Sequence, residues 1–155
     1  MGVGKTTVSK ELTKRLGDCV FLDGDWCWAS IPFIVNDETR KIVIDNINYL
    51  LNNYINSNTY KNIVFCWVMH KQSIINDILN NLNLSDCVVH NISLIATKEQ
   101  LCNRLNIDIK SGIRDNDIIQ KSIEYLDFYD DLDTVKIDTT NKNIKEIVDV
   151  IIRGF

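Results

Sequence analysis

Apolar positions along this chain follow two rhythms. Val8, Leu12 and Leu16 recur every four residues and Gly17 follows them, so the spacing predicts a helix over residues 6–16 closed by a glycine C-cap. Cys19-Val20-Phe21-Leu22 is instead a short unbroken apolar run ending in Asp23-Gly24-Asp25, the pattern of a buried strand that leads into a polar turn. Pro32 makes residues 29–36 irregular. Asn36 is placed to cap a long helix over 37–56, with Glu38 and Thr39 in its first turn. The stripe Val43, Ile47, Leu50 and Tyr54 on that helix, widened by Ile44 and Leu51, is suited to face a sheet. Unbroken runs at 63–68 and 88–96 predict two more strands, and Val135-Lys136-Ile137 a last short one. Helices are predicted at 72–81, at 98–106 behind a Thr97 cap, at 117–126 and at 144–152. Strands that are apolar throughout, alternating with helices, give a three-layer α/β fold with a parallel sheet covered on both faces.

No Pro/Gly/Ser linker, repeat or long charge run divides the 155 residues, which read as one domain, residues 1–155, large enough for a real core. A net charge of −4 and a pI near 5.1 argue against nucleic acid as the main partner. They leave a nucleotide ligand open, because a nest of backbone N–H groups holds phosphates whatever the overall charge. No apolar run approaches the roughly 20 residues of a membrane span, and no signal-peptide pattern appears at the start. The five cysteines include no CxxC pair; buried, reduced thiols in a cytoplasmic protein are expected rather than zinc or disulfides.

Chemistry enters with Met1-Gly2-Val3-Gly4-Lys5-Thr6-Thr7. The phosphate-binding loop is a glycine, four residues, then Gly-Lys-Ser/Thr. Gly4, Lys5 and Thr6 supply its last three positions, and Met1 to Val3 three of the four spacers. Gly2, Val3, Gly4, Lys5, Thr6 and Thr7 are therefore the expected nucleotide contacts, with Lys5 on the β- and γ-phosphates and the Thr6 hydroxyl on Mg²⁺. A helix start that carries these residues by chance is the bland alternative, and the apolar face of the following helix argues against it. Met1 reads as an internal methionine of such a loop, so an upstream strand and turn of roughly 6–10 residues is expected. Asp23-Gly24-Asp25 is the second element. It closes a strand, where ligands collect in such sheets. Asp23 is assigned to Mg²⁺ and Asp25 to the proton of an acceptor hydroxyl; an ordinary Asp-Gly turn is the alternative.

Gly-Val-Gly-Lys-Thr-Thr, one helix, then Phe-Leu-Asp-Gly-Asp resembles the small P-loop kinases: gluconate, shikimate and adenylylsulfate kinases, chloramphenicol phosphotransferase and AAA-type bacterial relatives. The element order agrees over nearly the whole chain, but only these two motifs are specific. The resemblance implies a five-stranded parallel sheet whose central strand precedes the phosphate loop, and that strand is not in this chain. It implies an acceptor pocket beside the Asp23–Asp25 turn, a short lid within about 104–118 carrying the phosphate-clamping Arg104 and Arg114, and a Thr139–Thr140 loop bordering adenine. Gly112 is the expected hinge of that lid.

The function expected is transfer of the γ-phosphoryl group of ATP, with Mg²⁺, to a small-molecule or nucleotide acceptor. A P-loop switch or motor ATPase is a second class. Asn141-Lys142-Asn143-Ile144 fails the guanine-recognition pattern at its last position, and no acid follows the second strand, where His70 stands instead. A nucleotide-binding module or fragment without transferase activity is a third. The protein is expected to be a monomer or homodimer. Trp26, Trp28, Pro32 and Phe33 wall an acceptor pocket or pack in the core; Arg40 reads as a surface residue, and His70 as structural or acceptor-lining.

Overall fold

Residues 2–115 and 117–154 are described by a computed structural model; the Met1 spacer of the loop and Asn116 of the expected lid lie outside them. Helix α1 (Lys5–Leu16) follows the phosphate loop directly. Gly17, with φ of 62°, ends it in the left-handed conformation that glycine adopts without a Cβ clash. Strand β1 (Cys19–Asp23) then pairs parallel with β2 (Asn62–Cys66), with Phe21 opposite Val64 and Asp23 opposite Cys66. Strand β3 (Ile92–Ile95) pairs parallel with β4 (Val135–Asp138), Leu94 lying opposite Ile137. Among the described residues the strands thus form two parallel pairs, β1 with β2 and β3 with β4.

The chain divides into two compact units. Ser9–Met69 and Ser73–Val89 make up one of them. Its core is Leu22 from β1, Val43, Ile47 and Leu51 from α2 (Asp37–Ile55) and Ile78 from α3 (Gln72–Leu79), with Cys27, Trp28, Phe65 and Trp67 packed around it. Val43, Ile47 and Leu51 are four residues apart, so one helical face enters the core. Asn36 caps α2 reciprocally: its Oδ1 accepts from Thr39 N at 2.8 Å and Thr39 Oγ1 accepts from Asn36 N at 3.0 Å. Threonine here does what Glu or Gln does in the usual capping box. Asn52 fastens the far end of α2, donating to Asn81 O at 2.9 Å and accepting from Asn83 N at 3.0 Å.

The second unit holds the residues up to Val8, His70–Gln72 and those from His90 onward. Val3 packs with the fully buried Leu101 and Leu105 of α4 (Lys98–Lys110), ringed by Leu94, Ile118, Ile119 and Leu126. Helices α5 (Ile118–Glu124) and α6 (Ile144–Arg153) complete it, α6 burying Ile147, Val148 and Ile151.

Two expectations about element ends are corrected. The strand predicted from Val88 begins at Ile92, since the ladder starts with Ile92 opposite Val135 and Val88 is 83% exposed. Helix α4 runs four residues past Asn106 to Lys110. Asparagine does not stop a helix that still has i→i−4 partners; Gly112, at φ of 69°, does. No helix among the described residues is long and apolar enough to cross a membrane. The five cysteines are free thiols; only Cys66 is fully buried and Cys87 is exposed.

Candidate functional site

The phosphate loop uses its two glycines differently. Gly2 (φ 77°) lies so close to α4 that a Cβ would sit 2.9 Å from both Leu101 Cδ1 and Leu105 Cδ2. It lets the loop pack on the helix, and Val3 beside it is buried in the same cluster. Gly4 (φ 91°) is exposed, and a Cβ there would meet only Val8 Cγ2 at 4.0 Å. Its backbone is open to a ligand, in a conformation that only glycine takes readily. Lys5 opens α1 half-buried, and Thr6 and Thr7 expose their side chains in its first turn, which Val8 N closes on Gly4 O at 2.9 Å. A helix start concentrates N–H donors and the positive end of the dipole, so it favours an anion.

At the end of β1 the two carboxylates are separated by environment. Asp23 is 6% exposed, and its Oδ1 accepts from Asp25 N at 3.1 Å, capping a short 3-10 helix over Gly24–Trp28. Asp25 is exposed. The turn is tight because Trp67, just beyond β2, lies on Gly24: a Cβ there would be 2.5 Å from the indole Cγ. Burial, and then the Asp23 charge, raise the pKa of the neighbouring Cys27 thiol. A continuous apolar run predicted Trp67 to be buried; nothing in the sequence said that it covers the Asp23–Asp25 turn.

The expected lid and adenine-loop residues meet in the other unit. Arg104 donates to Thr139 Oγ1 at 3.0 Å and to Thr139 O at 2.6 Å. Thr139 is fully buried, and its hydroxyl also donates to Ile95 O at 3.0 Å. Its side chain therefore fastens β3, β4 and α4 together. Thr140 is half-buried; its hydroxyl and amide both donate to Asp138 Oδ1, at 2.6 and 2.8 Å, and its Oγ1 accepts from Thr97 N at 3.0 Å. Those donors hold the Asp138 carboxyl below its ordinary pKa. Arg114, just past Gly112, donates to Asp108 Oδ2 at 3.0 Å, with both side chains about one-third exposed. Asp108 was not anticipated as the partner of Arg114, which lies six residues along the chain.

His70 stacks on Tyr125 at 4.4 Å with ring planes 8° apart, and lies 5.8 Å from Phe128. Its Nδ1 is buried without a partner, and burial, then the Lys71 charge, lower its pKa. Arg40 is an exposed partner of Asp37 at 3.5 Å, as expected of a surface residue. Trp26 is 58% exposed with its ring edge-on to Phe21 at 5.3 Å, while Trp28 is half-buried. A surface pocket between β4 and α6, lined by Lys136, Asp138 and Lys142, includes none of the expected site residues.

Parallel strands alternating with helices, and a glycine loop opening α1 with Lys5-Thr6, define the P-loop nucleotide-binding type of α/β fold. A family model described as an AAA domain matches residues 1–124, and the chain belongs to that family. In structure it is similar to a gluconokinase from Sinorhizobium meliloti 1021, at 20% identity and a TM-score of 0.71, covering 99% of this chain and 86% of that one. It is also similar to a sugar kinase from Janibacter sp. HTCC2649 (13%, TM-score 0.71, 98% and 87% covered). A tunicamycin resistance protein from Deinococcus radiodurans gives 15%, a TM-score of 0.70, and 99% and 89% covered. At these identities the likeness is one of fold. Comparison with curated proteins gives no match.

Proposed function

We propose that this protein is an ATP-dependent phosphotransferase acting on a small-molecule or nucleotide acceptor in the cytoplasm. The observation that carries the reading is the loop itself: Gly4 in an open left-handed conformation, followed at once by Lys5 and Thr6 at a helix start. In this reading the backbone of Gly2–Thr7 cradles the triphosphate, and Lys5 neutralises charge on the β- and γ-phosphates as the transferred group loosens. In this reading the Thr6 hydroxyl and the Asp23 carboxylate are the protein oxygens that would hold magnesium, with phosphate and water completing its shell. Such an ion would supply positive charge that screens the phosphates.

Asp25, exposed while Asp23 is buried, takes the acceptor's hydroxyl proton. The acceptor oxygen bonds to γ-phosphorus, the bond from γ-phosphorus to the β-bridging oxygen breaks, and ADP leaves. Arg104 and Arg114 are the proposed phosphate clamps of a lid within 104–118, in a single domain that is monomeric or homodimeric. Both are pre-oriented, Arg104 by Thr139 and Arg114 by Asp108; Arg114 has its Nε on Asp108, and closure of the lid turns its outer nitrogens to phosphate. Thr139 serves the nucleotide by holding Arg104, and Thr140 is the residue of the pair proposed to border the base.

The test is phosphoryl transfer from γ-labelled ATP to an acceptor panel, alongside binding of a fluorescent ATP analogue. Lys5→Ala should lower turnover by orders of magnitude with the fold unchanged. Asp25→Asn should lose transfer while ATP affinity stays within about threefold; equal loss of both would remove Asp25 from its role. ATP hydrolysis with no acceptor modified across the panel would favour a nucleotide-binding ATPase module instead.

A further inference from the structure

The chain has three tryptophans, and all of them belong to the unit that carries the Asp23–Asp25 turn. Trp67 lies against Gly24 within that turn. Trp28 is 6.3 Å from Trp67 and 5.3 Å from Phe33, ring centre to ring centre. Phe33 is 64% exposed, and Ile31, Ile34 and Val35 beside it are also exposed. This is an aromatic wall with an apolar rim, starting one residue from the proposed base.

Charge and hydrogen bonding narrow what the wall accepts. Between Gly24 and Asn36 the only ionisable side chains are Asp25 and Cys27, and there is no lysine or arginine; β2 and the residues to Met69 carry no charge either. Arg40 and Lys61 of this unit are exposed and engaged with Asp37 and Asp18. A carboxylate or phosphate seated here would face Asp25 and find no lysine or arginine in residues 24–36 or 62–69, a like-charge arrangement that disfavours binding. One polar group is left over: Trp28 Nε1 is shut off from solvent and has no hydrogen-bond partner. An indole N–H only donates, and a buried donor without an acceptor is rare in folded proteins.

Resting on the phosphotransferase reading, we propose that the acceptor is a neutral aryl-bearing alcohol: its ring packs among Trp28, Phe33 and Trp67, a carbonyl-type oxygen accepts from Trp28 Nε1, and its hydroxyl is presented to Asp25. The exposed side chains of 31–35 shift to admit the ring and then cover it. Sugar acids and phosphate monoesters are disfavoured at this wall, because residues 24–36 and 62–69 offer them no cation.

Intrinsic fluorescence tests this directly, because every tryptophan lies in this unit. The full chain is titrated, with and without a non-hydrolysable Mg·ATP analogue, with N-(2-hydroxyethyl)benzamide, 3-phenylpropan-1-ol and D-gluconate. Phosphorylated products are followed by mass spectrometry. Saturable fluorescence changes are expected with both aryl alcohols and none with gluconate. Trp28→Phe keeps a ring and removes the N–H; it should weaken the benzamide at least fivefold and leave phenylpropanol within twofold. Phe33→Ala should weaken both. Gluconate saturating and being phosphorylated while the aryl alcohols do neither overturns the acceptor class and leaves the kinase reading standing. Equal loss for both alcohols in Trp28→Phe overturns the role of the N–H. Fluorescence saturation with the aryl alcohols but no binding of a fluorescent Mg·ATP analogue sinks the kinase reading alone, since the wall is then seen to bind without it.

Discussion

Gly24→Ala is the sharpest test of how the Asp23–Asp25 turn is built. Gly24 is buried, and the added methyl would lie 2.5 Å from Trp67 Cγ, 2.6 Å from Cδ1 and 2.9 Å from Cβ. Its φ is not in the left-handed region, so the cost is steric and no backbone strain is added. The indole cannot easily retreat, since it packs against the cluster of Leu22, Ile47 and Ile78 and beside Trp28. Overpacking of this kind costs about 1–3 kcal/mol, or a drop in thermal midpoint of about 2–10 °C for a chain of this size. Because the clash is with one side chain, the cost should largely vanish when that side chain is cut back. In Trp67→Ala, Gly24→Ala should be nearly neutral, giving a coupling of about 1–3 kcal/mol in the double-mutant cycle. Urea unfolding followed by far-ultraviolet circular dichroism reads all four variants. A Gly24→Ala protein as stable as the parent, or one equally destabilised in the Trp67→Ala background, would refute the reasoning.

Thr139→Val keeps the shape of a fully buried side chain but removes the donor to Ile95 O and the acceptor for Arg104. Thermal denaturation should show a loss of about 1–3 kcal/mol, with Thr139→Ser closer to the parent; equal stability of all three would mean the hydroxyl contributes nothing. The lowered pKa of His70 means that the folded state favours the neutral ring. Its contribution is complete above the unfolded value of about 6.5 and is lost as pH falls through the lower folded value. Urea midpoints should therefore decline below about pH 6.5, and His70→Gln should flatten that part of the profile while leaving the rest. An unchanged slope in the variant would show that other groups carry it.

Burial by helical spacing and by unbroken runs is a local property, so most elements were legible along the chain. Helix α2 and its Asn36 cap are examples: the same residues that repeat every fourth position also supply the core face, and the cap uses atoms three residues apart. Boundaries failed where a distant element decides them. Val88 and Val89 look like strand, yet β4 has no residue opposite them, and backbone without a ladder partner stays outside the sheet. The phosphate loop was also legible, because a glycine-lined turn feeding a helix is encoded in six consecutive residues.

Tertiary structure alone decided how these pieces are used. Sequence made both loop glycines equivalent; packing against Leu101 and Leu105 turned Gly2 into a contact residue and left Gly4 open. It assigned Asp23 and Asp25 separate roles, but that the first is buried and the second exposed came only from the tertiary structure. It marked Arg104 and Thr139 as residues near phosphate and base, and 35 positions of chain separation hid that they bond to each other. Periodicity and short motifs record what a residue does to its neighbours within a turn or two. Which distant surface comes to rest on it depends on the packing of the whole unit, and no local pattern contains that.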